Sequence, residues 1–145
     1  MTGADHCRTV DPRTQREGKE GKAMAKASSA SAHKVADYGV AIDRSSELEG
    51  YTVSFVTITQ SHDLGPMLAS LPGGNCPCPH WGYVLKGRII VRYPDGEETI
   101  EAGEAFYMPP GHAPEAEEGT ELIQFSPTDK LAETEKAIAE AMQRG

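Results

Sequence analysis

The sequence predicts an all-β domain, a sandwich or barrel of short strands, closed by one C-terminal helix. Three observations carry that reading. β-Branched and aromatic residues recur in short runs with apolar residues at alternate positions, as in YTVSFVTIT at Tyr51–Thr59. Turn formers separate the runs, namely Gly65-Pro66, Pro72-Gly73-Gly74 and Pro94-Asp95-Gly96. Helical periodicity is confined to the end of the chain.

Residues 1–34 have neither period and hold only isolated apolar side chains among Gly, Ser, Ala and Lys. Such a composition cannot bury enough surface to offset its ordering entropy, so a disordered tail is expected there. Met24 opens MAKASSASAHKV and is a second candidate start. The β domain is expected over 35–126. It opens with Val35–Arg44, then Tyr51–Thr59, in which Val53, Phe55 and Thr57 share a face. Tyr83–Tyr93 (YVLKGRIIVRY) reads as a long strand interrupted at Gly87. At Pro94-Asp95-Gly96 the chain reverses, since proline presets φ and glycine supplies a positive one. Glu97–Glu101 returns, Glu104–Met108 follows, and Thr120–Phe125 is the last strand. The helix occupies 127–145, where Leu131, Thr134 or Glu135, Ile138, and Ala141 with Met142 repeat at three and four. Ser126 or Thr128 is placed to cap it. Its stripe must be buried against the sheet or a partner, and a homodimer is expected on that ground.

The net charge of −8 over 145 residues argues against a nucleic-acid partner. Seven of the 14 Lys/Arg fall within 1–34 against four acids, leaving seven against 18 in the rest. The tail is mildly basic and the folded part strongly acidic. No window is apolar enough to span a membrane, and no secretory signal precedes the domain. The small, Ser-rich ASSASAHK has a transit-peptide flavour that the interspersed Asp and Glu contradict. A cytoplasmic location is expected, where cysteines are reduced and serve more often as ligands than as bridges.

Residues 74–114 resemble the two motifs of the cupin superfamily. YVLKG at Tyr83–Gly87 matches the end of the first motif, and AGEAFYMPPGH at Ala102–His112 matches the second, with Gly103, Pro109 and Gly111 in register. The resemblance implies a single-domain jelly-roll β-barrel of six to eight strands, and in many members a metal held by three histidines and a carboxylate. This chain departs from that ligand set. His80 stands at the acidic position, Cys76 at the second histidine and Gly74 at the first. Pro114 replaces the histidine of the second motif, and His112 lies two residues earlier. The family's iron, manganese or nickel enzymology is therefore not implied directly.

The stretch NCPCPHWGYVLKG, residues 75–87, places Cys76, Cys78 and His80 at alternate positions between Pro77 and Pro79. With His112 they form a two-thiolate, two-imidazole set. Such a set selects zinc over magnesium, calcium or manganese, and four protein ligands make a closed shell. In a straight strand, residues four apart lie about 13 Å from each other, so the chain must bend for Cys76 and His80 to share an ion. Alternatively Cys78, His80 and His112 bind alone and leave a fourth position to water, the catalytic arrangement; Glu115, Glu117 and Glu118 are then the nearest candidate bases. Iron(II) or another divalent transition metal is the alternative ion. The plain reading is that both cysteines pack in the core, since free cysteine is among the most buried residue types. Trp81, Tyr83 and Tyr107 are candidates to line the mouth of a pocket, or else core aromatics. No catalytic residue and no organic-cofactor site is assigned. Two functional classes follow. One is a zinc-containing small-molecule binding or sensing module. The other is a metal-dependent enzyme, a zinc hydrolase or lyase or an iron oxygenase.

Overall fold

The computed structural model describes residues 24–69 and 71–144. Ten strands run in chain order. These are β1 (Lys34–Asp37), β2 (Ala41–Leu48), β3 (Tyr51–Ile58), β4 (His62–Asp63), β5 (His80–Lys86), β6 (Arg88–Tyr93), β7 (Gly96–Glu101), β8 (Ala105–Met108), β9 (Ala113–Ala116) and β10 (Glu121–Pro127). Two helices accompany them, a single turn α1 (Gly65–Leu68) and α2 (Thr128–Arg144). One sheet has the order β1-β2-β3-β10-β5-β8 and the other β4-β9-β6-β7. Strands β3 to β10 thus form an antiparallel jelly roll of two facing four-stranded sheets, and β1 and β2 extend one of them. Among the described residues the ladders run within each sheet. An isolated bridge between Cys76 and His112 joins the segments that lead into β5 and β9.

Two expected strands divide at glycines. Val35–Arg44 becomes the β1–β2 hairpin, turning where Gly39 adopts φ +84°. Tyr83–Tyr93 splits at Gly87, sending β5 into one sheet and β6 into the other. Gly87 has φ +75°, and a Cβ there would collide with Thr120, 2.8 Å from its Cα, so the corner admits only glycine. Fully buried Thr120 closes that corner, accepting from the Arg88 N–H at 3.2 Å and donating to the Arg88 carbonyl at 3.1 Å. Strand β9 had no strand signature in the sequence because Pro114 and Glu115 interrupt it. It forms between β4 and β6 in the second sheet.

Alternation fixes which side chains face inward. Val84, Ile89, Val91, Met108 and Leu122 make the core between the sheets, with Val56, Tyr93, Ile100 and Phe106 against it. Gly82 occupies an inward position of β5 because Phe106 fills its space; a Cβ there would lie 2.5 Å from the Phe106 ring. A second cluster holds Leu68, Leu71, Cys76 and Cys78, with Leu131, Ala137 and Ile138 of α2 packed on it. Leu131 and Ile138 of the helix stripe thus find apolar contacts within the chain. Met142's side chain lies outside the described residues. So do residues 1–23 of the expected tail. Its later part meets the first sheet, with the His33 N–H donating to Ser46 Oγ at 3.1 Å before β1 starts at Lys34.

Candidate metal centre

Three of the four candidate ligands come together. A ligand atom from each of Cys76, His80 and His112 lies within 4.8 Å of the others, and all three residues are buried. The chain bends as the i to i+4 spacing requires. A 3-10 turn over Pro72–Gly74, with positive φ at Gly73 and Gly74, delivers Cys76 beside the second sheet. There the Cys76 N–H donates to the His112 carbonyl at 2.9 Å, and the Gly111 N–H to the Cys76 carbonyl at 2.8 Å. Backbone pairing thus sets the Cys76–His112 distance without help from an ion. His80 opens β5 pointing inward, its Nε2 4.0 Å from Cys76 Sγ and its ring centroid 5.0 Å from that of His112.

The hydrogen bonds around the imidazoles fix the tautomer of His112 and the orientation of His80. His112 Nδ1 lies 2.7 Å from the Pro109 carbonyl, which can only accept, so Nδ1 carries the proton. Its Nε2 is then a bare lone pair, buried and without a hydrogen-bond partner. A buried orphan acceptor is costly unless something binds it. His80 Nδ1 lies 2.7 Å from Ser126 Oγ, a bond that orients the ring with Nε2 toward Cys76. Burial, with His112 adding to it, pushes His80 down to about 3, and burial lowers His112 as well, so both rings are neutral. Burial raises the Cys76 thiol, so an ion bound there has to displace its proton. Zinc bonds of about 2.3 Å to sulfur and 2.0 Å to nitrogen place tetrahedral ligand atoms roughly 3.3–3.6 Å apart. The 4.0 Å between Cys76 and His80 exceeds that by a few tenths. The residues present fit a transition metal.

Cys78, the fourth residue of the expected set, is not among the three whose ligand atoms meet. It is fully buried among Leu68, Leu71 and the helix side chains, its Sγ 3.5 Å from the Pro79 carbonyl. Burial, with Cys76 adding to it, pushes its thiol up to about 12. The bend that serves Cys76 and His80 removes the alternation on which Cys78 was counted. Trp81 and Tyr83 do not line the groove that borders Tyr107. With His80 facing in, they face out, each 42% exposed on the outer side of the first sheet. Tyr107 does border a groove of about 650 Å³ between the free edges of β7 and β8, floored by Val91, Ile100, Phe106 and Met108. Tyr93 and Pro109 also line it, and both adjoin His112, Tyr93 with ring centroids 6.3 Å apart and Pro109 through its carbonyl. The candidate bases turn outward. Glu115 pairs with Arg92 and Glu117 with Arg88, both at 2.7 Å, and the Glu118 N–H is bound by Ser61.

Ser126 is the site residue that the sequence reading missed. Standing just before the helix, it reads as a cap. The alternation of β10 gave the available signal, since Leu122, Gln124 and Ser126 share the inward row.

No protein-family model matches the sequence, and no curated protein matches it. Solved structures do. A protein of unknown function from Rhizobium leguminosarum is 22% identical, with a TM-score of 0.53 over 72% of this chain and 95% of that one. Ectoine synthase from P. lautus is 11% identical, with a TM-score of 0.53 over 72% of this chain and 78% of that one. A cupin-2 domain-containing protein from Shewanella frigidimarina is 21% identical, with a TM-score of 0.43 over 59% of this chain and 78% of that one. With two glycine-anchored motifs at the turns of a jelly roll, this chain has the cupin fold.

Proposed function

We propose that this protein is a zinc-binding, small-molecule binding or sensing module. Cys76, His80 and His112 hold the ion, and the groove between β7 and β8 receives the ligand. The observation that carries the reading is the buried, partnerless Nε2 of His112 beside His80 Nε2 and Cys76 Sγ. One thiolate and two imidazoles favour zinc over harder divalent ions. When bound, such an ion supplies a Lewis-acidic position that a water or a donor atom of a ligand can occupy. The chain's own residues do the rest. The Pro109 carbonyl holds His112 in the binding tautomer, and Ser126 orients the His80 ring. The apolar floor of Val91, Ile100, Phe106 and Met108 suits an uncharged body in the ligand. A free thiol among the ligands fits a reducing compartment, and we place the protein in the cytoplasm.

A metal-dependent enzyme, a zinc hydrolase or lyase or an iron oxygenase, is the second reading. The three-ligand count favours it, because it leaves a coordination position free. Against it stands the commitment of Glu115 and Glu117 to arginines on the outer face, away from the cluster. Metal content after zinc loading, with X-ray absorption at the metal edge, tests the first reading. Cys76→Ser, His80→Ala and His112→Ala should each lose the ion, and the edge spectrum should show one sulfur and two imidazole ligands. Wild type that takes up no zinc, or an edge spectrum with two sulfurs, would overturn the site as drawn.

A further inference from the structure

Strand parity puts a charge on β7 where the inner side of a sheet ordinarily carries an apolar side chain. Residues opposite each other in an antiparallel ladder share a face. Glu98 stands opposite Val91 and Ile100 opposite Ile89, and both of those partners are buried between the sheets. Glu98 and Ile100 therefore form the inward row of β7, and both line the groove. Across the ladder Glu98 faces a valine, whereas Glu97 on the outward row faces Arg92. Glu104 lines the same groove, its Oε1 accepting from the Glu101 N–H at 2.8 Å, which ties its carboxylate down. Among the described residues that line the groove, none is a lysine, arginine or histidine. The Tyr93 hydroxyl donates to the Pro109 carbonyl at 3.2 Å, so it offers a ligand only lone pairs. The rings of Tyr93, Phe106 and Tyr107 add aromatic surface, whose quadrupole attracts cations.

We propose that the ligand of this groove is an organic cation, an alkylammonium or a group of like charge. Glu98 and Glu104 meet the charge, and the apolar body lies on Ile100, Phe106 and Met108. The inference rests on the groove being the ligand site, as proposed above, and adds the sign of the ligand's charge. Two carboxylates, aromatic walls and a lining without a basic side chain agree on that sign. The wider field agrees as well. Residues 35–145 hold 18 acids against seven lysines and arginines, so the potential around the domain draws cations in and repels carboxylates and phosphates. A bare inorganic ion would leave the apolar floor unmatched, which is why the cation is an organic one.

Three probes of equal chain length test the sign: hexylammonium, 1-hexanol and hexanesulfonate. Each is titrated into the full chain at pH 7 with zinc present, and amide NMR shifts report where it binds. Hexylammonium should bind saturably and shift the amides of residues 98–100 and 104–108, with an affinity that falls as salt is added. 1-Hexanol should bind more weakly and hexanesulfonate not at all. Glu98→Gln/Glu104→Gln, which keeps an acceptor for the Glu101 N–H, should weaken hexylammonium about tenfold and leave 1-hexanol unchanged. Glu97→Gln/Glu117→Gln removes as much charge from the outer face, where these acids pair with Arg92 and Arg88, and should have less than about a twofold effect. Sulfonate or alcohol binding as tightly as the ammonium would overturn the cation while the groove stands as the ligand site. Equal losses in the two double variants would overturn it too, since the charge would then act from a distance. No shift at the groove with any of the three probes would overturn the groove reading itself, and the inference with it.

Discussion

Ser126 Oγ lies 2.7 Å from His80 Nδ1, so the last strand of the jelly roll holds the ring of the first residue of β5. Both residues are buried, and neither partner has water to fall back on. Ser126→Ala should weaken zinc binding by about 10- to 100-fold, as loss of an outer-shell partner commonly does. It should also cost the metal-free protein about 1–3 kcal/mol, because a buried imidazole nitrogen is left unpaired. Competition against a chromophoric chelator measures the first effect and denaturant unfolding the second. Unchanged affinity would show that packing alone orients His80.

Cys76 and Cys78 should separate cleanly. Cys76→Ser should abolish tight zinc binding while the metal-free fold persists, because the backbone bridge to His112 does not use the thiol. Cys78→Ser should keep its zinc and lose about 1–3 kcal/mol of stability, since a hydroxyl enters an apolar cluster. Metal analysis and thermal melts on the two variants decide it; zinc loss in Cys78→Ser would restore the thiol to the shell.

The metal-free protein should be acid-sensitive in a definite window. His80 has an ordinary value of 6.5 and is lowered by burial to about 3, so below pH 6.5 the unfolded chain takes up a proton that the folded one refuses. Stability from this residue is complete above pH 6.5, falls steadily as pH drops, and stops changing near pH 3. His112, lowered for the same reason, adds in the same direction. Denaturant midpoints of chelated protein from pH 7 to pH 4 should decline, and His80→Gln should flatten the profile.

Gly82→Ala should be far more damaging than an alanine on an ordinary strand. The added methyl would meet the Phe106 ring and the Ile123 carbonyl, and one of the two strands would have to move. A loss of about 1–3 kcal/mol is expected from overpacking. Pairing it with Phe106→Leu should recover part of that loss if the ring is the obstacle; no recovery would place the strain in the Ile123 backbone.

Most strands and the helix were legible because alternation and three-four periodicity are local properties. Strand β9 was not, since Pro114 and Glu115 carry no strand preference and pairing on both sides holds them. Cys76, His80 and His112 were legible from residue type. Cys78 was counted with them because alternate spacing means one face only in a regular strand, and this segment bends. Parity also placed Trp81 and Tyr83 outward once His80 faced in, a deduction available from the sequence and not drawn. Ser126 was hidden by ambiguity of role, because serine before a helix serves equally as a cap.

The chain length between the bend and the corner at Gly87 is fixed from two directions at once. On β5 the inward row is His80, Gly82 and Val84, and the outward row is Trp81, Tyr83 and Leu85. One residue inserted after Cys78 can be absorbed by the bend, at the expense of the reach from Cys76 to His80. One residue inserted after His80 cannot, because the following side chains change sides as a block. Tyrosine and tryptophan would then enter the space of Gly82 and Val84, and the glycine that admits Phe106 would surface. Along β5 the spacing between the bend and Gly87 is therefore constrained more tightly than the residue types.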